Sequence, residues 1–406
     1  MKHTNCLLLF ALAALAASCE RNTEINEILK FYGDVRDDMA FSIAEGPGAF
    51  YLCGQMTEVK RVNGNHITGS EPRVGVVKTD LSGNMIWKKY LGDGYAGNGS
   101  KVIILNDGSV LAAGQVTDSV NLDTDLYVAR LSSSGTVEDE NIIKIDQNQT
   151  CTDIIQTPDG FLLLGTTDAP TLPDPGNPAD SVFNYAGYLD ILFVRLRNNL
   201  EVIEAKQWGY PWNDRAVALK PDRNNGYVIA GTTDRHANKG RKNDFFLMRV
   251  NSVANITRPV ILDSKNDEYA SDLEVLDDGF LIAGTSGSEA ELRKPHFARL
   301  PFDIYDTVYY PEKYTNTSSW TVNSVTRLTA NYLVAAGRQG PSSSSDMLFF
   351  VFDEWGNLAE GKVLVHGSSG SQTAFDVLVD EEDFVVGAGV NASENNAMIT
   401  FLKFRF

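Results

Sequence analysis

The stretch DDGFLIAGTS, residues 277 to 286, is one of seven related segments in this chain of 406 residues. The others are FYLCGQ at 50 to 55, SVLAAGQ at 109 to 115, GFLLLGTT at 160 to 167, GYVIAGTT at 226 to 233, NYLVAAGR at 331 to 338 and DFVVGAG at 383 to 389. Superposing them on a shared glycine gives Gly54, Gly114, Gly165, Gly231, Gly284, Gly337 and Gly389, at spacings of 51 to 66 residues. Self-similarity at such a period decides the fold class ahead of any local propensity. Four short strands and their turns fill it, which is the content of one propeller blade.

Each copy divides into four strands. The first follows a polar turn and a small residue, as in Ala40-Phe41-Ser42-Ile43, Ala216-Val217-Ala218-Leu219 and Ala374-Phe375-Asp376-Val377. The second is the apolar run itself, introduced by turns such as Asp107-Gly108, Asp159-Gly160 and Asp278-Gly279. The third reads DLYVARL at 125 to 131, DILFVRL at 190 to 196 and DFFLMRV at 244 to 250, and the fourth is mixed, as in VIEAKQW at 202 to 208. Strands covered on both faces by neighbouring blades read as continuous apolar runs, whereas the outermost strand meets water and turns polar. The recurrent glycine predicts a close backbone approach between packed sheets, where a side chain would obstruct.

The seventh copy stops early. After DFVVGAG only AMITFLKF at 397 to 404 remains, and its missing outer strand is found near the other terminus. There Glu27-Ile28-Leu29-Lys30-Phe31-Tyr32-Gly33 parallels Met85-Ile86-Trp87-Lys88-Lys89-Tyr90-Leu91-Gly92. The expectation is an all-β, seven-bladed β-propeller of four-stranded blades over 27–406, with the N-terminal strand completing the last blade and removing exposed edges.

The first residues, MKHTNCLLLFALAALAASC, combine a short basic start, an apolar run too short to span a bilayer, and small residues ahead of Cys19. They predict an export signal over 1–18. Leu15-Ala16-Ala17-Ser18-Cys19 resembles the lipobox of bacterial lipoproteins, which implies a lipidated Cys19, a short tether over 19–26 and a location at the cell envelope, at the outer membrane. Cys53 and Cys151 remain in the mature chain, in different repeats, and read as buried thiols with no disulfide or cysteine metal site. The formal charge of −18, from 53 acids against 35 bases, argues against nucleic acid and anionic lipid surfaces as partners.

Taken together, the acidic-glycine turn, F/Y-L-I-A-G-T, D-x-F-L-x-R, and an aspartate with a G-N turn (Asp80-Leu81-Ser82-Gly83-Asn84 and Asp353-Glu354-Trp355-Gly356-Asn357) resemble the exported bacterial propeller-repeat lipoproteins. That resemblance covers nearly all of 27–406 and implies the fold, not an activity. Lys294 and Asn331 depart from it in copies 5 and 6. WD dipeptides, kelch double glycines and the sialidase S-x-D-x-G-x-T-W box are absent.

Residues repeated in several blades do a job that every blade needs. Asp125, Asp190, Asp244 and Asp346 open the third strand, and Arg130, Arg195, Arg249 and Arg299 close it, which reads as turn capping and strand-end ion pairing. Departures carry more information. Two connections, MTEVKRVNGNHITGSEPR at 56 to 73 and TDAPTLPDPGNPADSVFNYAGYL at 167 to 189, are long enough to be functional loops. On the face where they emerge, Tyr95, Tyr185, Tyr188, Tyr210, Trp212 and Trp320 are candidates for one aromatic-rimmed surface. Trp212 has no repeat-wide duty, so it is expected to form a platform with Tyr185 or Tyr188.

No histidine pair has metal-ligand spacing, and no nucleophile elbow or phosphate loop occurs. The expectation is a non-catalytic binding propeller with no cofactor or metal, recognising a glycan or an envelope protein. The alternatives are a structural subunit of an envelope assembly, or a polysaccharide hydrolase or lyase using acids near the central channel.

Overall fold

A computed structural model of the protein describes residues 27–406 apart from 34–35, 63–65, 170–188, 210–211, 224, 235–242, 252–258, 263–265, 288–291, 305–307, 309–313, 315–317, 368–369 and 394–395. The signal segment 1–18, Cys19 and its tether, Tyr185, Tyr188 and Tyr210 lie outside the described residues. Among those described, every regular element is a strand, and the strands form seven antiparallel sheets. Six have four strands, and the fifth has three among the described residues.

In blades one to six the strands pair in chain order. Blade seven is completed from the other terminus: Glu27–Tyr32 pairs antiparallel with Asn396–Phe404, from Glu27 opposite Phe404 to Tyr32 opposite Ile399. The closure read from the sequence is therefore present. Tyr32 adds a stitch to blade one by donating its hydroxyl to Gly83 O at 2.6 Å.

Burial follows the position of each strand in its blade. Gly160–Thr167, a second strand, is buried at all eight positions, while the outer strand Leu358–His366 is largely exposed. Apolar clusters lie between successive blades, as where Phe193 and Trp208 of blade three meet Phe246 and Met248 of blade four. Each such ring or branched side chain contributes about 1.5–3 kcal/mol on burial.

All seven first strands carry a β-bulge at the same place. The extra residues are Phe41, Ser100, Thr152, Val217, Ser271, Asn323 and Phe375. Opposite each bulge stands the recurrent glycine, and a Cβ there would run into a backbone carbonyl of the first strand: Met39 at Gly54, Thr321 at Gly337, Thr373 at Gly389. The close approach is thus within one blade, at a bulge, and not between packed sheets as the sequence pattern suggests. The bulge bends the first strand and tips its carbonyl toward the second.

The connection at 56–73 is not a loop. Blade one's second and third strands, Ala49–Val62 and His66–Thr79, run on as a paired hairpin from Gln55 opposite Val74 to Val62 opposite His66. At about 3.3 Å per residue this arm projects about 23 Å. The hydrogen-bonded register explains why so long an insertion needs no loop chemistry of its own.

Replacing Gly337 with alanine should destabilise the fold by about 1–3 kcal/mol, because Thr321 O cannot retreat without breaking the bulge. Chemical denaturation of Gly337→Ala measures this, and an unchanged midpoint would contradict the bulge argument.

Candidate functional site

Antiparallel succession brings the links between second and third strands, and those from each fourth strand to the next blade, to one face, here called the long-loop face. Tyr95 is half-buried on the link from blade one to blade two, against their shared core. Trp212 is half-buried on the link from blade three to blade four. Trp320 starts the first strand of blade six, with its ring in the core 5.4 Å from Phe350 and 6.5 Å from Tyr314. Its indole nitrogen donates to Gln339 Oε1 at 3.1 Å. The three described rings are therefore spread around the propeller, and Trp320 is taken up by packing.

The arm is anchored by a residue that the sequence pattern does not single out. Arg73, 2% exposed, donates from Nη1 to Gly92 O (2.7 Å) and Tyr95 O (2.9 Å), from Nη2 to Asp93 Oδ1 (3.3 Å), and from Nε to Glu58 Oε2 (3.2 Å). One guanidinium thus bolts both strands of the arm to the turn that carries Tyr95, using the fork geometry lysine lacks. The available signal was the departure at this position, which holds aspartate in Asp125, Asp190, Asp244 and Asp346.

Trp212 precedes a clasp. Asn213 donates its backbone N–H to Asp234 Oδ1 (2.8 Å) and its amide to Oδ2 (2.7 Å), and Asn148 holds Asp168 in the same way in blade three. Asn213 fixes the backbone beside Trp212, so the indole stands on a rigid support. Between blades five and six the same face opens into a cleft of about 270 Å³ lined by Tyr269, Ser271, Arg293, Thr321, Asn323 and Arg338.

The central channel contains the strongest charge cluster. The bulges aim seven backbone N–H groups at it, and three aspartates cap six of them. Asp153 accepts from Ile154 and Leu219 (both 2.9 Å), Asp272 from Leu273 and Val325 (both 2.8 Å), and Asp376 from Val377 (2.9 Å) and Ile43 (3.0 Å). Each carboxylate therefore ties its own blade to the next. The seventh N–H, Val102, donates to Ser42 Oγ at 3.3 Å. Lys101 stands 4.0 Å from Asp376. Burial works against its charge, but Asp376, Asp153 and Asp272 outweigh that and raise its pKa. Burial raises Asp153 despite Lys101 and Lys220, and lifts Glu274 to about 6.

The strand-closing arginines are structural. Arg249 reaches Asp222 at 3.0 Å, Arg299 reaches Asp278 at 2.7 Å, and Arg130 pairs with Asp107. Cys53 and Cys151 are buried and unbridged, and burial pushes the Cys53 thiol up to about 12. Among the described residues, no three His, Cys, Asp or Glu side chains cluster as metal ligands.

No protein-family model matches the chain, and no curated protein matches it in sequence. Its likeness is to solved propellers. An ulvan lyase of polysaccharide lyase family PL25 shares 9% identity at a TM-score of 0.53, over 91% of this chain and 97% of that one. YCF48 from Cyanidioschyzon merolae shares 12% identity at a TM-score of 0.50, over 93% and 98%. A protein of unknown function from Bacteroides caccae shares 13% identity at a TM-score of 0.39, over 65% and 78%. At these identities the likeness concerns the fold alone.

Asp190 gives a pH test of the long-loop face. It is 5% exposed, accepts one bond from Gln207 Nε2 at 2.7 Å, and burial pushes its pKa up to about 6. Because the folded value lies above the unfolded one, the native state binds more protons between them, and stability rises as pH falls through about 6. Asp190→Asn should therefore be more stable than the parent at pH 7, by of the order of 2 kcal/mol, with the gap closing toward pH 4. Denaturation midpoints across that range measure it; a gap independent of pH would refute the assignment.

Proposed function

We propose that the chain is a lipid-anchored, non-catalytic binding propeller of the bacterial cell envelope, held by Cys19 and recognising a glycan or a partner protein on its long-loop face. The observation that carries this reading is the cleft between blades five and six. Tyr269 supplies an aromatic surface, Arg293 and Arg338 supply planar donors, and Asn323, Ser271 and Thr321 supply smaller polar groups. One aromatic ring among mainly polar and charged side chains suits a polar ligand rather than an apolar one. Stacking on a sugar ring with hydroxyl and carboxylate recognition is the chemistry it offers.

The axial carboxylates support the non-catalytic reading. Asp153, Asp272 and Asp376 each hold two backbone N–H groups, which commits them to joining blades. The arm of blade one favours a second reading, a structural subunit of an envelope assembly, because a rigid hairpin bolted by Arg73 suits permanent docking. The hydrolase or lyase reading keeps only the fold-level likeness to a polysaccharide lyase.

Binding of the full chain to an array of neutral and acidic glycans tests the proposal. Tyr269→Ala, Arg338→Ala and Arg293→Ala should each weaken capture by about tenfold or more, equivalent to ~1.4 kcal/mol. Capture that survives all three but disappears when the arm is trimmed back to Gln55 and Val74 would favour the docking subunit. Depolymerisation of an array polysaccharide would revive the enzyme.

A further inference from the structure

On the face opposite the long loops, the turn after each third strand lies over the outer part of the preceding blade. Gly83 of blade one takes the Tyr32 hydroxyl of blade seven. Ser133 O of blade two accepts from Lys78 of blade one at 2.8 Å, and Leu200 O of blade three accepts from Asn141 of blade two at 2.9 Å. Phe302 of blade five lies 4.1 Å under Arg223 of blade four, and Trp355 of blade six lies 3.9 Å under Arg299 of blade five. In blade four this turn falls on residues outside those described.

Blade seven cannot have such a turn. Its third strand, Asn396–Phe404, and its fourth, Glu27–Tyr32, lie far apart in the sequence, so no short turn joins them. At that seam, between blades six and seven, a groove of about 690 Å³ remains, lined by Leu328, Tyr332, Val385, Phe406, Lys362 and Arg405 among others. Tyr332 is 42% exposed there.

We propose that residues 20–26 of this same chain occupy the seam groove and take the place of the missing turn. Glu27 pairs opposite Phe404, two residues from the groove-lining Phe406, so the fourth strand begins beside the groove. Seven residues extend about 23 Å, enough to cross a groove of this size. The segment, Glu20-Arg21-Asn22-Thr23-Glu24-Ile25-Asn26, matches the lining in kind. Ile25 suits the apolar wall of Leu328, Tyr332 and Val385, and Glu24 suits Lys362. Arg21 suits Glu382 and Asp383, which also line the groove. Tethering makes the docking intramolecular, so a modest interaction suffices. One consequence rests on the anchoring proposed above: with Cys19 held in a membrane, the seam face turns toward the bilayer and the long-loop face outward.

The test uses the full chain carrying Cys19→Ser, so that docking is read independently of acylation. A photo-crosslinking p-benzoylphenylalanine in place of Ile25 should join, within one molecule, peptides containing 328–332 or 405–406. The yield should fall about tenfold with Tyr332→Ala, a loss equivalent to ~1.4 kcal/mol of docking, and should also fall with Lys362→Glu. Replacing 20–26 with a glycine-serine segment of equal length should speed amide hydrogen exchange at 328–332 and 380–385. Cross-links scattered over the surface, cross-links only between two copies, or unchanged exchange would each overturn the proposal. Membrane partition of the parent chain reads the anchor separately, and its failure would leave the docking result standing.

Discussion

Seven backbone N–H groups pointing into one channel are the constraint on which this propeller turns. Each first strand is the edge strand of its sheet, so an amide beside its bulge faces away from the ladder and needs another acceptor. Buried amides without acceptors are expensive. Three aspartates with two oxygens each serve six of the seven, and an odd blade number leaves one over, which Ser42 serves. Because every aspartate holds two neighbouring blades, the capping that satisfies the bulge also sets how the blades stand to one another. The recurrent glycine follows from the same bulge, since it yields space to the tipped carbonyl.

What was legible in the sequence is what each repeat does alone. The apolar second strand and the glycine recur in every copy and the Asp-Gly turn in three of them, and the closure by residues 27–33 was visible because one outer strand was missing and another was spare. The axial aspartates were not visible for a definite reason. They occupy alternate blades, with Ser42, Lys101, Ala218 and Ser324 at the equivalent positions, so superposed repeats show no pattern there. The alternation has meaning only once adjacent blades are in contact.

The candidate site was less legible because exposure is not written in residue type. Trp320 and Trp212 look alike as tryptophans on the same kind of link, but Trp320 begins a strand whose first residue faces an aromatic core, whereas Trp212 sits one residue outside the Asn213 clasp. Arg73 was hidden for a related reason. Its value lies in four partners drawn from two separate segments of the chain, which no local window contains. Both faces thus repeat the same economy, in which irregular links are immobilised by single side chains that span blades.

The closing strand also sets the order in which the molecule can be made. Residues 27–32 are synthesised long before residues 396–404, the strand they pair with. Contacts between chain ends carry the largest loop-closure entropy and form slowly. The nascent protein must therefore pass through a stage in which six blades stand assembled beside an unsealed seventh, with an aggregation-competent edge on show. Sealing is a late, concentration-independent step, and the kinetic hazard of this fold is concentrated at that one seam.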